Sequence, residues 1–159
     1  NIYVLSYEEI KVNIFVLDND PTVAAKLHLD KHVVKMPLET AQMLSSISGG
    51  PYKVTHKNHP CTVWARQSKA NYNWLVQLGF ALCNEYSFRY SKRHKCRDVI
   101  EKLKHAPECV PDGDRTPFAQ AMPDECKRED AVEAYKEYYR KHKQHIAAWK
   151  NREVPEFMR

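Results

Sequence analysis

What is missing from the chain narrows its class. No apolar run reaches the ~18 residues that span a bilayer, and no signal peptide opens it, so a soluble protein of the cytoplasm is expected. Glycine is scarce, at 4 of 159 residues, while hydrophobic residues make up 43%. Such a composition builds one real core and does not leave the chain disordered. No linker, internal repeat or low-complexity tract interrupts it, which predicts a single domain over 1–159. The five cysteines, Cys61, Cys83, Cys96, Cys109 and Cys126, are odd in number and include no CxxC pair. That pattern excludes a disulfide framework and a zinc ribbon and reads as structural thiols in a reducing compartment.

What is present is a modest basic excess, +5 from 25 Lys and Arg against 20 Asp and Glu, with eight His in reserve. A polyanion is a natural partner for such a chain, although many inert proteins carry as much charge. The two near copies "NIYVLS" (1–6) and "NIFVLD" (13–18) are rich in β-formers and predict a short N-terminal strand pair, a β-forming leader over 1–18. From 19 to 159 the pattern is helical. Asp20 before Pro21 starts one helix through "TVAAKLHL". Asp30 caps a second, "KHVVKMPLETAQMLSSIS", which Gly49 and Gly50 stop and Pro37 should kink or split. Ser68 caps a long central helix from Lys69 to His94, apolar around nearly its whole circumference. A short helix follows in "CRDVIEKLKH", then a proline-rich irregular stretch over 106–124. The last helix is predicted from Arg128 to Lys150, with Ala131, Tyr135, Tyr138, His142 and Ile146 on its inner face. The expected fold is mainly α, a single compact helical domain.

Three groups of residues could carry chemistry. His28, His32, Lys35, Glu39, Gln42 and Ser46 recur at spacings of three and four, so a continuous helix would align them on one face. A stripe of acid, base and cation between apolar flanks suggests a cleft; the plain alternative is a solvated face. His28 and His32, with His56 and His59, have a spacing that could hold zinc. However, the Glu of HExxH is absent and lysines adjoin the histidines, so no metal and no cofactor are expected.

The second group lies in "THKNHPCTVWARQ" (55–67). Asn58 or His59 can cap a helix whose first residue is Pro60, and free amides at a helix start attract anions. Lys53, His56, Lys57 and Arg66 would strengthen a phosphate site there. Third, Glu85 and Arg89 stand at i, i+4 and predict a buried or half-buried, structural ion pair, with Asn71 and Trp74 placed where they could face the same cleft. On the last helix Lys136, Arg140 and Lys143 are expected to form an outward basic ridge, with Tyr135 and Tyr138 inside.

"NHPCTVWARQSKANYNWLVQLGFALCNEYSFRYSKRHK" resembles the Asn-His-Pro segment and following long helix of small pyrimidine-dimer DNA glycosylases, the phage endonuclease V type and its bacterial relatives. "HLDKHVVKMPLETAQ" sits where that family has its first catalytic helix, and "AAWKNREVPEFMR" is similar to its aromatic C-terminus. The pattern from "NIFVLDNDP" onward also looks like a protein of tailed phages, which would place it in a bacterial host cell. The resemblance implies a compact helical fold, no metal, and removal of a damaged pyrimidine from duplex DNA that is bent or has a base flipped out. It also implies an N-terminal α-amine that attacks the sugar C1′, possible because such an amine is partly neutral near pH 8, and a helix glutamate that assists. On that pattern Glu39, Lys35, His32 and His28 are the catalytic candidates. Lys31, Lys53, His56, Lys57, Asn58, His59, Arg66, Lys136, Arg140 and Lys143 are the candidates for DNA contact. Two departures stand out. The family's Arg-Glu pair is absent, with Lys35 and Glu39 the nearest substitutes, and a leader precedes Asn13, so that either Lys35 or Lys31 replaces the amine or the amine is lost and a monofunctional glycosylase is expected. The competing expectations are a noncatalytic DNA- or RNA-binding phage protein and a phage enzyme that modifies nucleotides or bases.

Overall fold

The computed structural model describes residues 12–159, and its elements are helical throughout. Six α-helices follow in order: α1 Pro21–Leu27, α2 Asp30–Ser48, α3 Pro60–Arg66, α4 Lys69–Tyr90, α5 Arg97–Lys102 and α6 Ala131–His142. Short 3-10 turns at Asp124–Cys126, Gln144–Ile146 and Glu156–Met158 complete the regular structure of the described residues. The helix starts follow from local chemistry. Asp20 accepts the Thr22 N–H at 2.8 Å with Pro21 in the first turn, and Ser68 accepts the Asn71 N–H at 3.1 Å. Gly49, at φ 86°, closes α2 in the left-handed conformation that glycine adopts without strain.

The expected strand pair does not form among the described residues. Residues 1–6 lie outside them, and 13–18 run through the interior as irregular chain that bends at Leu17 and Asp18. Val12, Ile14, Phe15, Val16 and Leu17 are all at most 4% exposed. A strand with one wet face would alternate, and this segment is enclosed on every side instead. Its polar needs are met by side chains. The Asn13 Oδ1 accepts from the Ile14 N–H at 2.8 Å and the Tyr135 hydroxyl at 2.9 Å, while Nδ2 donates to the Ala121 carbonyl at 2.9 Å. Each buried aliphatic or aromatic side chain here contributes about 1.5–3 kcal/mol, so these five, four of them consecutive, anchor the segment.

Helix α4 is the central element and packs against α1, α2, α3 and α5. At Gly79 it closes on α2 so tightly that a Cβ would lie 2.9 Å from the Thr40 Cγ2. Helix α2 runs through Pro37 undivided. Proline omits one ladder bond, and the burial of Met36, Pro37, Ala41, Met43 and Leu44 along α2 offsets it. Asp30 is the first residue of α2, with Leu29 in the cap position. Its carboxylate is used elsewhere, by Arg89 and by the Lys150 N–H.

Helix α6 is shorter than expected. It stops at His142, and residues 147–152 turn back over the α1–α2 junction, where the Trp149 indole donates to the Leu27 carbonyl at 2.8 Å. Of the expected inner face, Ala131, Tyr135 and Tyr138 are buried, Ile146 is half-buried and His142 is exposed. The helix breaks there because Lys143 turns inward, its ammonium 5.0 Å from the Tyr138 ring centre.

Candidate active site

Glu39 sits on the side of α2 that faces the buried 13–18 segment and is only 4% exposed. Its Oε1 accepts a hydrogen bond from the main-chain nitrogen of Asn13 at 2.8 Å. The Lys35 ammonium, one turn back on a half-exposed side chain, is 3.9 Å from Oε2. A buried carboxylate is thus held against a backbone nitrogen with a cation at its open side. Chain spacing could not have shown this contact, because residues 13 and 39 belong to different elements.

One turn further back is His32, whose ring stacks on Phe15 with centroids 4.2 Å apart. The Tyr139 hydroxyl accepts the Leu29 N–H at 3.3 Å, which leaves its own proton for the His32 Nδ1 at 2.7 Å. Burial, then the neighbouring His28, Lys143 and Lys35, pushes the His32 pKa well below the ordinary histidine value. The ring is therefore neutral at pH 7. His32 and Tyr138 form part of the floor of a cavity of about 400 Å³, and Lys31, Lys35, Lys143, His142 and His145 stand around it. Lys35 belongs both to this cavity and to Glu39, so the carboxylate adjoins a basic hollow. A low-dielectric wall with several cations concentrates field lines and suits a phosphate.

Other expected members are placed elsewhere. His28 follows the end of α1, fully buried. Its Nδ1 donates to the Ala24 carbonyl at 2.6 Å, and its pKa falls to about 4 because burial disfavours the cation. The stripe that begins at His32 therefore has no contribution from His28 at the cavity. Ser46 works as a tie, donating to the Thr55 carbonyl at 2.6 Å and accepting its N–H at 2.9 Å. Asn71 and Trp74 do not face the cavity. Asn71 holds the proline-rich loop through Thr116 and the Trp64 carbonyl, and the Trp74 indole donates to the Asn19 carbonyl.

The 53–66 loop is a separate surface. Lys53, Lys57 and Asn58 are exposed and His56 is half-buried at φ 52°. His59, not Asn58, caps α3, its Nδ1 accepting the Cys61 N–H at 3.1 Å. That bond occupies one of the amides expected to receive an anion. Arg66 donates to the Lys57 carbonyl of the same loop. The outward ridge is also altered. Lys136 pairs with Glu133 and lies over Phe157, Arg140 pairs with Glu137, and Lys143 is 8% exposed inside the cavity. The sequence pattern missed Asn13, Phe15 and Tyr139, which reach the site only through tertiary packing.

The Glu85–Arg89 pair is buried as expected, and larger. Arg89 donates to Glu85 at 2.7 Å, to Asp30 at 3.0 Å and to the Lys26 carbonyl at 3.0 Å. Arg152 adds two bonds to Glu85, each 2.9 Å. The network ties α1, α2, α4 and the C-terminal segment together, and it does not border the basic cavity. The four histidines weighed as a metal clip do not converge, since His56 and His59 belong to the loop surface while His28 and His32 lie in the core.

Among the described residues no helix is long and apolar enough to cross a membrane. No curated protein and no solved structure matches the chain. Residues 12–98, however, match the family of pyrimidine dimer DNA glycosylases, a segment that holds Asn13, His32, Lys35, Glu39 and His59. The match covers more than half of the sequence, and on that basis the chain belongs to the pyrimidine dimer DNA glycosylase family, whose substrate is DNA.

Proposed function

We propose that this protein cleaves the glycosidic bond of one pyrimidine of a dimer in duplex DNA, with Glu39 at the sugar C1′ and the Asn13 nitrogen marking the nucleophile's place. The observation that supports this reading most is the 2.8 Å contact between that nitrogen and the Glu39 carboxylate, beside a basic cavity. As the glycosidic bond breaks, the pyrimidine leaves with the bonding pair and positive charge develops on the sugar. A buried carboxylate stabilises that charge more strongly than an exposed one, because the surrounding dielectric is low. Lys31, Lys35 and Lys143 grip the flanking phosphates, and the neutral His32 offers a hydrogen bond without adding charge.

The form of the chain decides the second half of the reaction. With residue 12 attached, the Asn13 nitrogen is an amide, its lone pair delocalised, and it serves only to orient Glu39. Water is then the nucleophile and the product is an abasic site. In a chain whose first residue is Asn13, the same nitrogen is an α-amine with a pKa near 8, partly neutral at working pH. It adds to C1′ as the base departs and loses a proton; the C1′–O4′ bond then opens, O4′ taking up a proton, to give an imine, and loss of a C2′ proton eliminates the 3′ phosphate, which is AP-lyase chemistry. Lys35 is the ion-pair partner of Glu39 in this scheme and not the attacking amine.

Borohydride trapping on duplexes carrying an abasic site or a thymine dimer tests both halves. The full chain is compared with one released from a cleavable fusion to begin at Asn13. Both should break a glycosidic bond at dimers in irradiated duplex, read as alkali-labile abasic sites with the cut base still joined to its dimer partner, and Glu39→Gln should stop this in both. Only the chain starting at Asn13 should yield a trapped adduct. Trapping by the full chain that disappears in Lys35→Ala would transfer the amine to Lys35. Binding without glycosidic cleavage by either form would leave a noncatalytic binder.

A further inference from the structure

We propose that Glu125, Cys126 and His142 form a binding site for a zinc-class divalent transition-metal ion at the edge of the basic cavity. The three residues come from two elements, the 3-10 turn Asp124–Cys126 and the last position of α6. One nitrogen, one sulfur and one oxygen donor lie within 4.8 Å of one another. The Glu125 Oε2 and His142 Nε2 are already 3.5 Å apart. Bonds of about 2.0–2.3 Å around a tetrahedral ion separate its ligands by roughly that distance. Cys126 is fully buried and provides the floor, while Glu125 and His142 are exposed and can swing the remaining fraction of the way. A fourth position stays open to solvent.

The donor chemistry sets the class of ion. Thiolate with imidazole and one carboxylate suits zinc, cobalt(II) or nickel, whereas magnesium and calcium call for oxygen ligands. Neighbouring charge is mixed, since Glu137 and Glu125 stand against the cations of the cavity rim. Arg128 and Lys141 are nearby, but both pair with Glu137, at 3.5 Å and 3.7 Å. Burial, then Glu125, raises the pKa of the Cys126 thiol. An incoming ion must therefore displace that proton to solvent, so one proton leaves as the metal–sulfur bond forms and binding weakens at acid pH. The consequence for the molecule is local. Pro123 and His142 both line the basic cavity, so an ion bound here ties the turn to the helix end and fixes that rim. None of the three ligands lies in the segment matched to the glycosylase family, and the site stands or falls apart from the catalytic reading.

Cobalt(II) titration of the full chain in a Cys109→Ser background, which removes the exposed thiol, provides the test. One equivalent should give the near-ultraviolet thiolate-to-cobalt band and the intense visible bands of four-coordinate cobalt, and zinc should displace them. Cys126→Ser should abolish the thiolate band. Partners outside the ligand shell alone are worth about tenfold or more in affinity, so His142→Ala, at an exposed position, should weaken binding at least about tenfold. Zinc should raise the melting temperature of the parent and leave that of Cys126→Ser unmoved. A cobalt spectrum without the thiolate band, or one unchanged in His142→Ala, would overturn the assignment and leave Glu125 and His142 as an ordinary ion pair.

Discussion

Replacing Glu85 by Gln tests whether the charge network beneath α4 is structural, as its position away from the cavity implies. Arg89 is wholly buried and bonds Glu85 and Asp30, while Arg152 makes both of its side-chain ion-pair contacts to Glu85. Glutamine keeps the shape but presents an NH₂ where a guanidinium also donates. It therefore removes a charge and sets two donors against each other. Breaking a buried pair from one side costs about 3–5 kcal/mol, because the partner's charge stays desolvated. In a chain of this size each kcal/mol moves the melting temperature by about 2–4 °C, so a fall of about 10 °C is expected. The loss should change little with salt, since screening acts mainly on exposed pairs.

The same variant carries an acid signature. Burial raises the Glu85 pKa, but hydrogen bonds from Arg152 and Arg89 and their charges outweigh it, leaving the carboxyl below the ordinary glutamate value. A depressed folded-state pKa contributes stability that is present above the unfolded-state value and lost as pH falls through the folded one. Glu85→Gln should remove that part of the acid slope. Calorimetry at pH 7 and in the acid range, with glycosidic cleavage measured at low temperature, decides the matter. An unshifted melting temperature would refute the structural assignment, and lost cleavage with a normal melting temperature would move Glu85 into the chemistry.

Three further outcomes are expected. His28 is held neutral with a pKa of about 4, and its Nε2 has no hydrogen-bond partner among the described residues. The unfolded chain therefore takes up this proton first, and stability should fall by roughly 3 kcal/mol between pH 6.5 and 4; denaturant titrations should show His28→Phe flattening that window. For Gly79→Ala, overpacking costs about 1–3 kcal/mol against the Thr40 and Ile100 methyls and helix propensity returns at most ~1. A net loss in thermal melting is expected, and a gain would show that α2 and α4 can part. Binding to duplex should weaken steeply with salt, and Lys31→Ala or Lys35→Ala should each reduce the slope of log affinity against log salt by about 0.9; an unchanged slope would remove that lysine from the interface.

Residues close together in the chain were legible in its sequence because their physics is local. The caps at Asp20 and Ser68, the stop at Gly49 and the Glu85–Arg89 pair all depend on neighbours within about a turn of helix, and each is where its pattern placed it. The spacing that puts Lys35 beside Glu39 is equally local. Tertiary structure decided what that spacing means. The β-forming 13–18 segment is enclosed by helices because its apolar side chains have no wet face to leave, and this brings the Asn13 nitrogen to Glu39 across 26 residues. His28 packs edge-on against the ring of Phe15 in the interior, and Lys143 turns inward over Tyr138, so the helix ends at His142 and not at the expected Lys150. Neither choice can be read from periodicity, because a helix pattern records which residues share a face and not what that face will meet.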